Sequence, residues 1–493
     1  MIEPTDALNV YLHGQKVAQI ESDERGYHLS YDPDVTSPHP LSQALRGQVA
    51  SEWSMPVHRY KGDAVWDNTS SALGNFLFGL LPDNPDVLSE MSRRYNVEDR
   101  NPVELLAHVG VDCVGAVQFT PANTLPQPTR SELSPVSDDQ IERALREART
   151  RGVRYEGAGQ GVSQGTVYRP GSLLAGFQPK FGLLRDNGQW LRSTPEWGTS
   201  HIFKTGIAGR DGQAAFEFLG MRAAAHLGLE VAAVDFSRFG DEDALVIERF
   251  DRVRDEVSLA PRRVHQEDLA QLLSVPVFPA QKKYGRDSKR IIKSLRNLDS
   301  DRETAHQFVQ QLAYNTLIGN ADAHLKNYSI RYDQHSGAIS MSPLYDCATE
   351  AHDPQFHSGA QSPIRIGGTV DYAALQRSST WWRNLAKSGG LDEGRVLDDV
   401  RHLARMTPEA VLLATTQLPD SHRRRVEESG VREAIAEICT NVESTFGHNH
   451  GTKPRARKQK PGVTHRAQCG HQMPRAGVPC VAPAGHGGPH RSR

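Results

Sequence analysis

The stretch NVYLHGQKVAQI alternates apolar and polar positions on either side of His13-Gly14, a pair suited to a tight turn, and so predicts a two-stranded hairpin. GYHLSYD continues in strand pattern. From Trp66 to Phe119 the period lengthens: FLFGLLPD, VLSEMSRRYNV and VELLAHVG carry apolar residues three and four apart, the spacing of helices with one buried face. Together these elements predict a small N-terminal α/β subdomain over residues 1–120.

A Pro- and Ser-rich stretch, residues 121–137, reads as a linker. Ser137 then stands three residues before Gln140 in the arrangement of a capping box, and IERALREART continues as a helix. A Gly-rich segment running into AGFQPKFGLL is followed by a strand at SHIFKTG, a helix at AAFEFLGMRAAAHLGL and strands at AAVDFSRF and ALVIERFD. Loop, strand, helix, strand, strand is the order of a protein-kinase small lobe, assigned here to residues 138–260. Residues 261–447 are mostly helical by pattern, as in a large lobe, with one irregular stretch from Gly319 to Asp346. No repeat of fixed period occurs. The fold expected is α+β: two kinase-like lobes, an additional N-terminal α/β subdomain, and a short basic C-terminal extension, residues 448–493.

Composition agrees and adds limits. At 493 residues the chain exceeds what one core usually serves. Hydrophobic content of 38% and charged content of 24% fit a soluble globular protein, while 42 Gly and 29 Pro call for many loops. The net charge of -2 hides an asymmetry: from Gly447 onward there are nine Lys or Arg and no acid, which leaves the body with 48 bases against 59 acids. A body that acidic is not a dedicated nucleic-acid binder, although the tail can touch an anionic partner or simply be solvated. Five scattered cysteines argue against a secreted disulfide scaffold and for a reducing cytoplasm. The opening residues carry no basic-then-apolar leader, and no run of 18 apolar residues occurs, so neither secretion nor membrane spanning is expected.

Phosphoryl transfer depends on positioning and charge neutralisation, so its mark is a fixed set of Lys, Asp and Asn. In GNADAHLKNYSI, Asp322 and Asn327 stand five apart, the offset of base and metal-binding Asn in kinase catalytic loops. Asp346 follows 24 residues after Asp322, at the end of a predicted hairpin, where a kinase keeps its second metal-binding carboxylate. An isolated D-x-x-x-x-N pair would be weak, because Asx residues are common in ordinary turns.

The constellation resembles the HipA-like kinase family. IGNADAHLKNYSI with SPLYD is similar to that family's I-G-N-x-D-x-H-x-K-N-x-S and P-x-Y-D, and LLAGFQPKFGLL, SHIFKTG, VIERFDR and VHQEDLAQLLSVP are similar to further family segments in the same order. FGLLPDN and VGVDCVGAVQF resemble its N-terminal subdomain. The resemblance implies a serine/threonine protein kinase using ATP and Mg²⁺, with Asp322 as catalytic base and Asn327 and Asp346 holding the metal. It places His324 and Lys326 near the phosphates, Tyr345 with Asp346 among the residues that bind the nucleotide, Lys204 as the ATP-positioning lysine and Glu217 as its partner; a surface ion pair is the alternative for the last two. Ala175, Gly176, Gln178 and Lys180 match the phosphate-covering loop, and Glu248, Arg249 and Phe250 the hinge that meets adenine largely through backbone groups, with core packing the alternative for Phe250. The family's autophosphorylated serine is displaced by one position, to Ser172, which puts self-phosphorylation there in doubt.

The resemblance further implies a protein substrate, in the best-known case an aminoacyl-tRNA synthetase. It implies a HipB-like helix-turn-helix antitoxin as partner, reaching operator DNA through it. A catalytically silent corepressor and a small-molecule kinase are the competing readings; the intact set Lys204, Asp322, Asn327 and Asp346 favours catalysis. The resemblance does not reach the tail. There Cys469, Cys480, His486 and His490 form a series that suits tetrahedral Zn²⁺, against the alternative of a disordered His-rich tail.

Overall fold

The computed structural model describes most of residues 7–447. Residues 1–6, 152–179, 207–211, 255–259, 277–279 and 448–493, with short stretches between 24 and 131, lie outside the described residues.

The first hairpin forms as its pattern predicts: β1 (Ala7–Leu12) and β2 (Gln15–Asp23) pair antiparallel across a two-residue turn. His13 (φ 52°) and Gly14 (φ 81°) are both left-handed, as a turn matching strand twist requires. With β3 (Gly26–Tyr31), β4 (Glu52–Tyr60), β5 (Asp63–Trp66) and β6 (Val117–Thr120) they make a six-stranded antiparallel sheet in the order β5-β4-β3-β2-β1-β6. Three helices, α1 (Ala72–Gly79), α2 (Pro85–Tyr95) and α3 (Pro102–Val109), intervene between β5 and β6. Ser71 caps α1 by accepting from Gly74 N, and Asn101 caps α3 ahead of Pro102. The subdomain expected as α/β therefore has a wholly antiparallel sheet. The helical reading to Phe119 ends early, because Val117–Thr120 returns to pair with β1.

The second sheet runs β11-β12-β10-β8-β9-β7, antiparallel throughout. Its strands are β7 (Ser134–Pro135), β8 (Lys180–Asp186), β9 (Gln189–Arg192), β10 (His201–Lys204), β11 (Val234–Phe239) and β12 (Glu242–Glu248). The last residues of the expected linker thus form an edge strand. Helix α4 (Asp138–Arg151) begins at the predicted capping box, with Ser137 N donating to Gln140 Oε1 at 2.9 Å. The sheet's alternation sorts its two faces. Phe203, Ala244 and Val246 share a core with Ile141 and Leu145 of α4, while Leu245 and Ile247 join the core containing α5 (Gln213–His226).

The remaining chain is mostly helical, but it carries more strand than its pattern suggests: β13 (Arg252–Val253), β14 (Arg262–Arg263), β15 (Gln266–Asp268), β16 (Arg286–Asp287), β17 (Ser329–Tyr332), β18 (Ile339–Met341), β19 (Gln361–Ile366) and β20 (Thr369–Asp371). These strands are two to six residues long, too short to show a period. The predicted hairpin is β17-β18. Helices α6 (Leu269–Leu272), α7 (Ser288–Arg296), α8 (Glu303–Leu317), α9 (Pro354–His357), α10 (Tyr372–Arg377), α11 (Thr380–Gly389), α12 (Glu393–Thr416), α13 (Asp420–Glu428) and α14 (Val431–Gly447) complete it, with α12 packed on α5, α8 and α14.

The HQED segment at β15 is where the N-terminal sheet and its helices dock. His265 donates to Leu41 O at 2.9 Å, and Glu267 accepts from Ser42 Oγ (2.6 Å) and Gln43 N (3.0 Å). Asp268 and Gln271 close a capping box on α6, and Gln271 Nε2 reaches Phe76 O of α1. A Cβ at Gly79 would lie 2.6 Å from Gln271 Cγ, so glycine permits this close approach. Beside it, Asp112 and Asp251 meet Arg249, Arg252 and Arg263 in a buried cluster, with Arg252 bonding Asp112 at 3.0 Å and Gly115 O at 2.9 Å. Buried charge at such density is tolerable because both carboxylates bridge guanidinium groups, while the third cation, Arg263, only approaches Asp112 at 3.5 Å.

Candidate active site

Strand β10 ends on Lys204, and β8 begins on Lys180, its direct partner across the antiparallel pair. Opposed residues point to one face, so two ammonium stems share a side of the sheet. Lys204 Nζ lies 2.6 Å from Glu217 Oε1 on α5 and 2.6 Å from Asp346 Oδ1. Burial disfavours the Lys204 ammonium, but Asp346 and Glu217 outweigh it and hold its pKa above the ordinary lysine value. Burial pushes Glu217 up against the pull of Lys204. Desolvation also opposes ionisation of Asp346, yet Lys204 and Lys180 hold its carboxyl well below the usual carboxylate range. Lys180, desolvated and facing Lys204, is lowered to about 8.

Asp346 is 46% exposed in its side chain, whereas Lys204 and Glu217 are buried. Its backbone is left-handed (φ 55°), a conformation of modest cost in Asp that recurs at functional sites. Asn327 Nδ2 donates to Asp346 O at 3.3 Å and to Asp346 Oδ2 at 3.2 Å. Asn327 Oδ1 is buried and makes no hydrogen bond. An orphaned amide oxygen beside a half-exposed carboxylate is the donor set a hard cation takes, so these two residues fit Mg²⁺.

The loop between α8 and β17 holds Asp322. It opens on Gly319 (φ 69°), where a Cβ would meet Phe356 at 2.9 Å. Buried Asn320 then accepts from Asp322 N, donates to Asn315 Oδ1, and offers its carbonyl to Tyr372 OH. Asp322 is exposed, and Tyr284 OH donates to its Oδ1 at 2.5 Å. His324 is buried edge-on to the Tyr284 ring, its pKa lowered to about 4 by burial and then by Lys283; it is neutral at pH 7, and its Nδ1 makes no hydrogen bond. Lys326 turns its ammonium away to Asp83 Oδ1 (2.5 Å) and Gly79 O (3.3 Å). Tyr345 OH braces the same loop, donating to Lys326 O at 2.7 Å beside Ser329 Oγ.

At the expected hinge, Glu248 is exposed, and Phe250 packs its ring 5.6 Å from that of Tyr345. The Arg249 guanidinium is committed to Asp251 and Thr199, and the N–H groups of Glu248 and Arg249 are taken by Ala233 O and Ser200 O. Ala175, Gly176 and Gln178, together with Ser172, lie outside the described residues, as do Cys469, Cys480, His486 and His490. Among the described residues no three His, Cys, Asp or Glu side chains are gathered as a metal cluster. The sequence reading missed Tyr284, Asn320 and Asp83. Asp83 stands in FGLLPDN and Asn320 in IGNAD, both quoted as motifs without a role for these side chains; Tyr284, in a Lys-rich loop, carried no signal.

Lys180 makes a prediction. The phosphate contact that the resemblance implies for Lys180 needs a protonated ammonium, so on that expectation the apparent affinity for ATP is constant below pH 7 and falls as pH rises through 8 and beyond. Equilibrium ATP titrations from pH 6.5 to 9.5 check this, and Lys180→Arg should flatten the profile.

Residues 172–411 match the HipA-like C-terminal domain, and residues 8–120 match the HipA N-terminal domain. Y4mE of Sinorhizobium fredii, named as a candidate kinase, is 32% identical over 349 residues, spanning 68% of this chain and 77% of that protein. The serine/threonine-protein kinase toxin HipA of Shewanella oneidensis is 28% identical over 375 residues, 71% of this chain and 79% of that one. Among solved structures, the Shewanella oneidensis complex of HipA, HipB and operator DNA superimposes with a TM-score of 0.70 at 23% identity, covering 89% of this chain and 99% of that one, and so shares the fold. The profile matches at both ends and the identity over most of the Sinorhizobium protein establish that this chain belongs to the HipA-like kinase family.

Proposed function

We propose that this chain is an ATP- and Mg²⁺-dependent serine/threonine protein kinase that acts as the toxin of a toxin-antitoxin pair. The observation that carries the reading is the convergence of Lys204, Glu217 and Asp346 within 2.6 Å contacts, with the unbonded Asn327 Oδ1 beside Asp346 and Asp322 on the same loop. In this reading Lys180 and Lys204 receive phosphate oxygens, and Asp322 orients the substrate hydroxyl and takes its proton. The hydroxyl oxygen bonds to the γ-phosphorus as the bond to the bridging oxygen breaks and ADP leaves. Asn327 and Asp346 would hold Mg²⁺, which when bound offsets phosphate charge. Buried, unreactive thiols at Cys113, Cys347 and Cys439 suit a cytoplasmic protein, and no helix among the described residues is long and apolar enough to cross a membrane.

The HipA of Shewanella oneidensis assembles with HipB and operator DNA; the same kinds of partner, a small DNA-binding antitoxin and through it an operator, are proposed here, with a protein Ser or Thr as phosphoryl acceptor. Phosphoproteomics after brief induction tests this directly: new Ser/Thr phosphosites are expected with the wild type and absent with Asp322→Asn. An unchanged phosphoproteome would overturn the kinase-toxin reading.

The metal assignment is tested separately. Asp346→Ala should raise the Mg²⁺ needed for half-maximal ATP binding by about tenfold, while ATP binding in EDTA changes less than threefold. Equal weakening with and without metal would make Asp346 a structural residue.

A further inference from the structure

One carboxylate of the N-terminal subdomain reaches both sides of the catalytic loop. Asp83 lies just past the C-terminal end of α1 and is 7% exposed. Its Oδ1 accepts from Lys326 Nζ at 2.5 Å and its Oδ2 from Lys283 Nζ at 3.1 Å. Each lysine adjoins a residue at the chemistry: Lys326 precedes Asn327 and follows Asp322 by four positions, and Lys283 precedes Tyr284, whose phenol donates to Asp322 Oδ1. Lys326 also donates to Gly79 O, at the negative end of the α1 dipole, so its ammonium is held both by the end of α1 and by the turn that follows it.

We propose that Asp83 is a positioning residue of the kinase site: by clasping Lys326 and Lys283 it fixes the loop that carries Asp322 and Asn327 and the phenol that orients Asp322. This rests on the kinase reading of the site. The clasp is buried; burial opposes ionisation of Asp83, but the two lysines draw its carboxyl down to about 2, and the Asp268 carboxylate adds to the field that holds Lys326 protonated. Held in this way, the loop cannot drift without stranding an ammonium away from water. Asp83 then contributes to turnover through the two lysines, from outside the Lys204–Glu217–Asp346 cluster.

The test uses the full chain. Asp83→Asn keeps shape and removes charge. It should lower kcat by about 10–100-fold with metal-free ATP binding, measured in EDTA, within about threefold, since Lys180 and Lys204 are untouched. Without nucleotide, amide hydrogen exchange across His324–Tyr328 should quicken at least tenfold. Should the stranded Lys326 ammonium prevent folding, Asp83→Asn with Lys326→Met removes it; that double variant should regain stability without regaining kcat. A kcat within twofold of wild type in either soluble variant overturns the proposal, and so does unchanged exchange. A wild type that never turns over ATP would remove the kinase reading instead, with the exchange result still deciding whether Asp83 holds the loop.

Discussion

Asp322→Asn is expected to lower the phosphorylation rate by about 10²–10⁴-fold while leaving ATP affinity within twofold and the melting temperature within a few degrees. The substitution is nearly isosteric. The Asp322 side chain is exposed and its carboxylate is bonded to Tyr284, so the fold loses little when the charge goes. The backbone bonds that shape the loop, Asp322 N to Asn320 Oδ1 and His324 N to Asp322 O, do not involve the carboxylate. The amide retains an acceptor oxygen but cannot take the hydroxyl proton. Phosphate transfer to an acceptor protein and ATP binding, measured on the same preparation, check the separation. Turnover near wild type would remove Asp322 from the role of base, and a matching loss of ATP binding would make it a nucleotide ligand.

The regions legible in the sequence share one physical property: the signal lay in local spacing. The hairpin at His13-Gly14, the capping box at Ser137 and Gln140, and the Asp322–Asn327 offset all depend on residues within a few positions of one another. The opposed lysines were half visible, Lys204 from its strand and Lys180 from its loop, but the antiparallel register that faces them across the sheet is a long-range fact. Strands β6, β15 and β16 carried no such signal, being paired with β1, β17 and β19, partners remote in the chain.

The motifs were recognised more completely than their purposes. The HQED segment was identifiable as a family feature, yet what it does, bonding Leu41, Ser42, Gln43 and Phe76, is a contact across more than 190 residues. Arg249 shows the limit from the other side. Its place in ERFD implied adenine contact largely through backbone groups and gave no partner for its guanidinium, which bonds Asp251 and Thr199 in the buried charge cluster. Lys326 likewise sits inside the catalytic motif but directs its charge to Asp83. A motif fixes where the backbone goes; which neighbour a long cationic side chain reaches depends on the tertiary surroundings.

Lys204→Met is expected to cost both stability and chemistry, and pH separates the two. Lys204 is the shared partner of Glu217 and Asp346, and its removal leaves a 2%-exposed carboxylate without its cation. Breaking a buried pair from one side costs about 3 kcal/mol, and loss of the ammonium proposed to receive a phosphate oxygen should lower kcat by about 10²-fold. In the wild type the pair's contribution is fully present below the ordinary lysine pKa of 10.5 and is lost only as pH rises through the raised folded value. In the variant Glu217, already raised above its ordinary 4.5 by burial, loses the lysine that opposes this shift and rises further. Folding must then draw a proton from solution at any pH above 4.5, a cost that grows with pH. The stability gap between wild type and variant should therefore be small near pH 4.5 and wide at pH 7.5, as urea titrations at the two values would measure. A gap of equal size at both would mean that the lysine stem contributes through packing, and that Glu217 does not depend on its charge.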